Sequence, residues 1–220
     1  MEIKKNDCFT VSIEDMSEDG SGIGKLDGYI WFIKDAVKGD VVEAKAMKMK
    51  KSYGFARLMR VITPSPDRIE PACSLSQCGG CLFQHITYPA ELRIKEKAVQ
   101  DAFTRIGKLH PEFLPILGAP SRTRYRNKAQ YPFASDRSGK PILGFFARRS
   151  HRVIPVRDCL LQPELFGEIA DTVLDFVQKN RIPVYDETNG TGDMRHLYLR
   201  CGQHSGAVSY THLRAHETSQ

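Results

Sequence analysis

A small β-barrel followed by an α+β domain is the fold that these 220 residues predict. Three observations carry it. About five short, alternating strand segments lie between Cys8 and Ile62; Pro64, Pro66 and Pro71 then break regular structure; and beyond them strand patterns alternate with two amphipathic helix patterns. Hydrophobic residues are 41% and charged residues 26% of the chain, enough apolar surface to bury a core.

In the first part, Cys8–Ile13 alternates weakly and Asp19-Gly20-Ser21-Gly22 turns the chain. Lys25-Leu26 leads to a second turn at Asp27-Gly28, Tyr29–Ile33 is a dense aromatic and β-branched run, and Lys38-Gly39-Asp40 turns again. Val41–Met49 and Gly54–Ile62 complete the set. An OB-like barrel and an open SH3-like barrel both fit such a pattern. Pro89 opens a predicted helix over Glu91–Ile106, with Leu92, Val99, Phe103 and Ile106 as its buried face and Gly107 as its stop. A second helix, Pro163–Lys179, offers Leu165, Phe166, Ile169, Val173, Phe176 and Val177 to the core. Tyr125–Ala134, Ile142–Ala147, Arg152–Val156 and Arg195–Cys201 read as strands of one sheet. The expected organisation is therefore a barrel over residues 1–63, a cysteine loop over 64–89, an α+β domain over 90–207 and a tail over 208–220. The tail has no clear period, and it reads either as disordered native sequence or as sequence foreign to the fold.

Composition narrows the function classes. No run of about 18 apolar residues exists, so no membrane span is expected, and the N-terminal residues lack the apolar stretch of an export signal. A cytoplasmic protein is expected. The net charge is +6, and residues 121–157 hold ten basic side chains against the single Asp136. A basic block in an otherwise nearly balanced chain points to a polyanionic partner, a solvated face being the plainer reading.

Six cysteines occur, and Cys73, Cys78 and Cys81 crowd into one loop. In a reducing compartment such a cluster reads as a metal site rather than as disulfides. Gly79 and Gly80 let the backbone turn tightly there. Thiolates suit both zinc and iron–sulfur clusters, and the spacing leaves the two level. Cys159, between a predicted strand and the second helix, is the expected fourth ligand, while Cys8 and Cys201 read as unpaired strand thiols. A pile of free thiols and a radical enzyme with an open iron are the competing readings.

Two groups of side chains fit RNA. In the barrel, Lys48, Lys50, Lys51 and Arg57 interleave with Tyr53 and Phe55, in a stretch without acids from Ala44 to Ser65. Basic residues hold phosphates while aromatic faces stack bases; the plainer reading makes the rings core and the lysines a solvated edge. Further on, Arg122, Arg124, Arg126 and Lys128 are spaced by two and would share one face of a strand, with Arg148, Arg149 and Arg152 following. A charged edge that resists aggregation is the alternative there.

With these residues in view, the chain resembles the RumA/TrmA-type RNA uracil-5 methyltransferases. The resemblance rests on Cys78-Gly-Gly-Cys81 with Gln84-His85, Tyr125-Arg126-Asn127-Lys128-Ala129-Gln130, Gly144-Phe145-Phe146-Ala147 with Ser150-His151-Arg152, Asp158-Cys159-Leu160-Leu161-Gln162, and Gly190-Thr191-Gly192-Asp193-Met194-Arg195-His196-Leu197. It implies a TRAM domain, an OB-like RNA-binding module, in the first sixty or so residues, and a 4Fe–4S cluster on Cys73, Cys78, Cys81 and Cys159. It further implies a central domain that grips RNA, with 23S ribosomal RNA as the expected target and a monomer as the expected state. Four residues separate Cys73 from Cys78, where the family more often has one more, which makes Cys73 the least regular ligand. In this family a cysteine thiolate adds to carbon 6 of uracil and activates carbon 5 toward the methyl of S-adenosylmethionine. No strand, glycine-rich turn and helix unit for that cofactor is visible here. The doubly wound methyltransferase domain is thus expected to be absent, with no catalytic or S-adenosylmethionine-binding residue in the chain and no activity from it alone. The alternative is a non-catalytic RNA-binding protein with a structural iron–sulfur or zinc site.

Overall fold

The computed structural model describes residues 3–75, 77–202 and 204–214. Two units emerge, one of residues 1–72 with 82–118 and one of residues 73–81 with 119–220.

The first unit is built on strands β1 (Cys8–Met16), β2 (Ser21–Leu26), β3 (Tyr29–Lys34), β4 (Val41–Met49) and β5 (Tyr53–Thr63). They close into a barrel in the order β1-β2-β3-β5-β4, with β3 and β5 parallel and the other pairs antiparallel. Alternation explains the closure: Phe9, Val11, Ile13, Trp31, Ile33, Val42, Ala44, Ala46 and Ala56 all point inward and are buried. Trp31 fills most of the lumen, and small residues make room for it. A Cβ on Gly54 would lie 2.6 Å from Trp31 Cζ3. Gly54→Ala is therefore expected to lower stability by about 1–3 kcal/mol through overpacking, read as a lower Tm.

One buried ion pair closes the barrel's bottom. The Asp40 side chain is 0% exposed and meets Arg68 Nη2 at 2.6 Å. It also accepts the Val37 N–H at 2.6 Å and the Ser65 N–H at 2.8 Å.

After the prolines, α1 (Tyr88–Asp101) starts with Pro89 in its first turn and continues as one π-helical turn, Ala102–Ile106. It packs Ala90 and Ile94 against Met16, Val37 and Ile86. The expected buried face is not the observed one: Val99 is 53% and Ile106 83% exposed, and Phe103 is exposed too. Nor does Gly107 supply a left-handed stop. Its φ is −73°, and the left-handed residue is Lys108, with φ 55°.

The second unit is a five-stranded antiparallel sheet of order β10-β9-β6-β7-β8. Its strands are β6 (Lys128–Ser135), β7 (Pro141–Phe146), β8 (Val153–Pro155), β9 (Met194–Cys201) and β10 (Val208–Arg214). Helix α2 (Glu164–Lys179) covers it with Phe166, Ala170 and Val177, against Tyr131, Phe133, Leu143, Leu197 and Leu199. Ile169 and Val173 join this core, but Leu165 and Phe176 stay exposed, because six apolar residues make a stripe wider than the sheet covers.

The tail departs from its expectation. Residues 208–214 form the edge strand β10, registered with β9 from Val208↔Cys201 onward, so they are part of the sheet rather than outside it; the expected tail's residues 215–220 lie outside the described residues. No helix among the described residues is long and apolar enough to cross a membrane.

Candidate nucleic-acid interface and cysteine cluster

On the barrel, the pleat that turns Trp31 and Ile33 inward turns their neighbours outward. Parallel register sets Phe32 beside Phe55 and Lys34 beside Arg57, and antiparallel register sets Lys48 beside Phe55. The result is an outward triad of rings: Phe32–Tyr53, Phe32–Phe55 and Tyr53–Phe55 centroids are 5.8, 5.7 and 5.6 Å apart. Tyr53 and Phe55 are exposed, so they are not core. The exposed lysines at 48, 50 and 51 and Arg57 surround them. Tyr29 fixes the turn that carries Lys50 and Lys51, since its hydroxyl lies 2.7 Å from the Lys50 carbonyl oxygen and accepts the Lys50 N–H. Phe32 and Lys34 complete this face, and sequence reading had missed both. Tyr29–Ile33 is apolar at every position, so the sequence alone does not say which of its side chains turn outward.

Rings with a cationic surround are suited to stacking unpaired bases while holding phosphates. Removing one ring of such a platform costs about 1–3 kcal/mol per stacked base. Phe55→Ala and Phe32→Ala are each expected to weaken binding of single-stranded RNA by about tenfold, measured by fluorescence anisotropy, with the slope of affinity against salt unchanged. A change in slope with unchanged affinity at low salt would reassign the rings to a structural role.

In the second unit, the expected row of cations is broken. Residues Arg122, Arg124 and Arg126 precede β6 instead of lying on it, and only Lys128 is in a strand. Arg124 takes a left-handed φ of 56°. Its guanidinium lies 2.5 Å from Asp158 Oδ1 and 2.8 Å from Oδ2, and donates to the carbonyls of Cys159 and Gln162 at 3.1 and 2.9 Å. Asp158, first by its hydrogen bond, holds Arg124 above the usual guanidinium range. Arg124 is thus a clamp on the Cys159 loop. The Arg126 N–H bonds the Leu161 carbonyl at 2.8 Å, while the Lys128 ammonium sits 5.6 Å over the Tyr198 ring. Arg152 donates to Gln77 Oε1 inside the cysteine loop, whereas Arg148 and Arg149 stand on the turn between β7 and β8.

That turn is also where the cysteine loop rests. Cys78 bridges Ala147 in antiparallel fashion, the Gly79 N–H reaches the Phe146 carbonyl at 3.4 Å, and the Arg148 N–H reaches the Gln77 carbonyl at 3.3 Å. A Cβ on Gly79 would stand 3.2 Å from Arg148 Cα, so the glycine permits the close approach. Cys73, Cys78, Cys81 and Cys159 are all half-buried and unpaired. Burial pushes the Cys81 thiol up, with further increments from Cys159, Cys78 and Cys73 and opposition from Arg126. Burial does the same at Cys159, where the Leu161 amide opposes it and Cys78 and Cys73 reinforce it. The four expected ligands therefore share one electrostatic neighbourhood. Among the described residues, however, no three Cys, His, Asp or Glu side chains stand in a metal-binding arrangement. The donor chemistry fits a soft metal, since thiolates are soft ligands and a bound cation offsets the burial that pushes Cys81 and Cys159 up.

The TRAM domain family matches residues 4–59, the barrel. The chain is 42% identical over 208 residues to an uncharacterised RNA methyltransferase of Halalkalibacterium halodurans, covering 94% of this chain and 45% of that protein. It is 40% identical over 207 residues to one from Listeria monocytogenes, at 94% and 46% coverage, and 35% identical to one from Clostridium tetani. Among solved structures, Pyrococcus abyssi tRNA (uracil-54, C5)-methyltransferase in complex with S-adenosyl-L-homocysteine superposes with a TM-score of 0.66 at 21% identity, over 93% of this chain and 46% of that one, which shows a shared fold.

The chain thus spans about half the length of the curated relatives it matches. This overturns the expectation that a doubly wound methyltransferase domain is absent, since the match concerns 45% of a relative's length and carries no statement about the remainder. The barrel and the relatives together place the chain in the RumA/TrmA-type RNA methyltransferase family.

Proposed function

We propose that this protein takes part in S-adenosylmethionine-dependent methylation of carbon 5 of a uridine in RNA, 23S ribosomal RNA in the first instance, as a cytoplasmic monomer. In this reading the barrel face of Phe32, Tyr53 and Phe55 stacks unpaired bases while Lys48, Lys50, Lys51 and Arg57 hold phosphates. On the second unit, Arg122, Arg126, Lys128, Arg148, Arg149 and Arg152 follow the backbone of the same RNA. Cys73, Cys78, Cys81 and Cys159 hold a 4Fe–4S cluster that braces the loop on the β7–β8 turn. The observation that carries the reading is the outward ring triad set among cations, in a barrel that matches the TRAM family. The cluster is supported by the shared electrostatic neighbourhood of the four thiols. The solved neighbour's name favours transfer RNA as a second target class.

The test is transfer of labelled methyl from S-adenosylmethionine to unmodified 23S ribosomal RNA and to unmodified transfer RNA, followed by nucleoside analysis for 5-methyluridine. Label in transfer RNA alone replaces the ribosomal target, and label in another nucleoside overturns the chemistry. Anaerobic purification with iron, sulfide and zinc analysis tests the cluster separately. Stoichiometric zinc in a colourless protein removes the iron assignment.

A further inference from the structure

The sheet of the second unit opens a groove that the preceding reading leaves unused. Strand β6 pairs with β9 only as far as Pro132↔His196. From Phe133 onward β6 pairs with β7 on its other side, while the chain before β9 turns away so that Met194 bridges Val184. Where the strands part, a cavity of about 420 Å³ forms, within the size range of small-molecule pockets. Among the described residues, the β6 edge at Phe133–Ser135 has no ladder partner on that side, so its backbone faces the space.

The walls are rings and charges in a particular order. The Phe146 and His151 rings lie 5.4 Å apart, tilted at 35° to one another. Tyr185 carries the Arg195 guanidinium 5.0 Å from its ring centre. His196 lines the floor, and burial, with Arg195 adding to it, pushes that imidazole down, leaving it uncharged at neutral pH. Two carboxylates are present, but they are not equivalent. Asp186 is engaged in its own turn, accepting the Thr188 N–H at 2.8 Å and the Asn189 side-chain amide at 2.6 Å. Glu187 instead faces His151, whose Nδ1 lies 2.7 Å from Oε2. Because the carboxylate only accepts, that nitrogen carries the proton.

We propose that this groove takes one unstacked nucleobase of the RNA, a neighbour of the methylated uridine, and reads it through Glu187. The inference rests on the reading of the protein as RNA-binding. A base lying between the tilted Phe146–His151 pair and Tyr185 is held by its faces, the usual way single-stranded RNA is gripped. A carboxylate at its edge demands donors. Guanine offers two adjacent ones, N1–H and the exocyclic amine, while adenine and cytosine offer an exocyclic amine. Uracil sets its single N3–H between two carbonyl oxygens that a carboxylate repels. The groove therefore ranks guanine first and uracil last, and it is not the site of the uridine that reacts.

The test uses the whole protein and fluorescein-labelled ten-nucleotide RNAs that differ only in a central G, A, C or U, read by anisotropy at fixed salt. The wild type is expected to bind the G oligonucleotide about tenfold tighter than the U oligonucleotide. Glu187→Gln should bring that ratio below about twofold, by weakening the G oligonucleotide and strengthening the U oligonucleotide, since the amide no longer repels the uracil carbonyls. Tyr185→Leu should weaken all four about tenfold, with Tyr185→Phe close to wild type and circular dichroism unchanged in each. Equal affinity of the wild type for G and U, or a preference that survives Glu187→Gln, overturns the proposal. Salt-dependent binding that ignores base and substitution alike removes only the groove, whereas no binding to any oligonucleotide at low salt removes the RNA-binding reading itself.

Discussion

Asp40→Ala is expected to lower the stability of the barrel unit by about 3–5 kcal/mol, the cost of leaving one partner of a buried ion pair without the other. The arrangement explains the size. Asp40 is fully buried, and Arg68 is 20% exposed beside it. The same carboxylate receives Arg68 Nε at 3.1 Å and the amides of Val37 and Ser65, while Arg68 Nη2 also donates to the Asp35 carbonyl at 2.8 Å. Alanine would leave two buried amides without an acceptor and the guanidinium with only the Asp35 carbonyl. Thermal unfolding should show a fall in Tm of more than about 10 °C. A loss of only a degree or two would mean that water replaces the carboxylate. The same residue fixes the response to acid. Burial opposes ionisation at Asp40, but the Arg68 hydrogen bond, the Ser65 and Val37 amides and the Arg68 charge outweigh it and hold the carboxyl below its ordinary value of 3.8. A carboxyl depressed in the folded state contributes stability that is complete above its unfolded value and is lost as pH falls through the folded one. Stability should therefore drop below about pH 4 in the wild type. Asp40→Ala should remove that step.

The elements that were legible in the sequence are those whose own pattern decides them. Strand β1 and the first halves of β4 and β5 alternate because one face of each lines the barrel, while β2 and β3 were legible from the turns and the β-branched and aromatic run that bound them. The crowding of Cys73, Cys78 and Cys81 was legible because three thiols in nine residues need no knowledge of secondary structure. What failed depended on partners distant in the chain. Arg122, Arg124 and Arg126 keep a spacing of two, yet Arg124 sits in the left-handed region because Asp158 and the Cys159 and Gln162 carbonyls, some 34–38 residues away, draw its side chain. Val99, Phe103 and Ile106 keep a helical period, but the helix changes to wider turns at Ala102, and within its unit only the first turns around Ala90 and Ile94 meet the core. The groove at the β6–β9 divergence had no signal at all, because it exists only where two pairings end.

Gly144→Ala is expected to be the most damaging single methyl in the second unit. A Cβ there would lie 1.8 Å from the Ile154 carbonyl oxygen, 2.7 Å from its carbon and 2.9 Å from Pro155 Cα, all backbone atoms of the paired strand. A side chain could swing aside, but a strand backbone can yield only by moving β8 off β7, where Gly144, Phe145 and Phe146 pair with Pro155, Ile154 and Val153. The expected cost is about 4 kcal/mol or more, in the range reserved for overpacking against an unyielding neighbour. The consequence reaches the cysteines. The loop that carries Cys73, Cys78 and Cys81 is held by Ala147, the Phe146 carbonyl and the Arg148 amide, all immediately after Gly144. Displacing β7 or β8 moves that rest out from under the loop and spoils the approach of the thiols to Cys159. With the proposed cluster in place, iron and sulfide per chain should fall together with Tm in Gly144→Ala. The ring triad on β3 and β5 involves none of these residues, so stacking of single-stranded RNA on the barrel should persist. A variant with normal Tm and normal metal content would show that β7 and β8 can separate at little cost, and the link from sheet to cysteine loop would be lost.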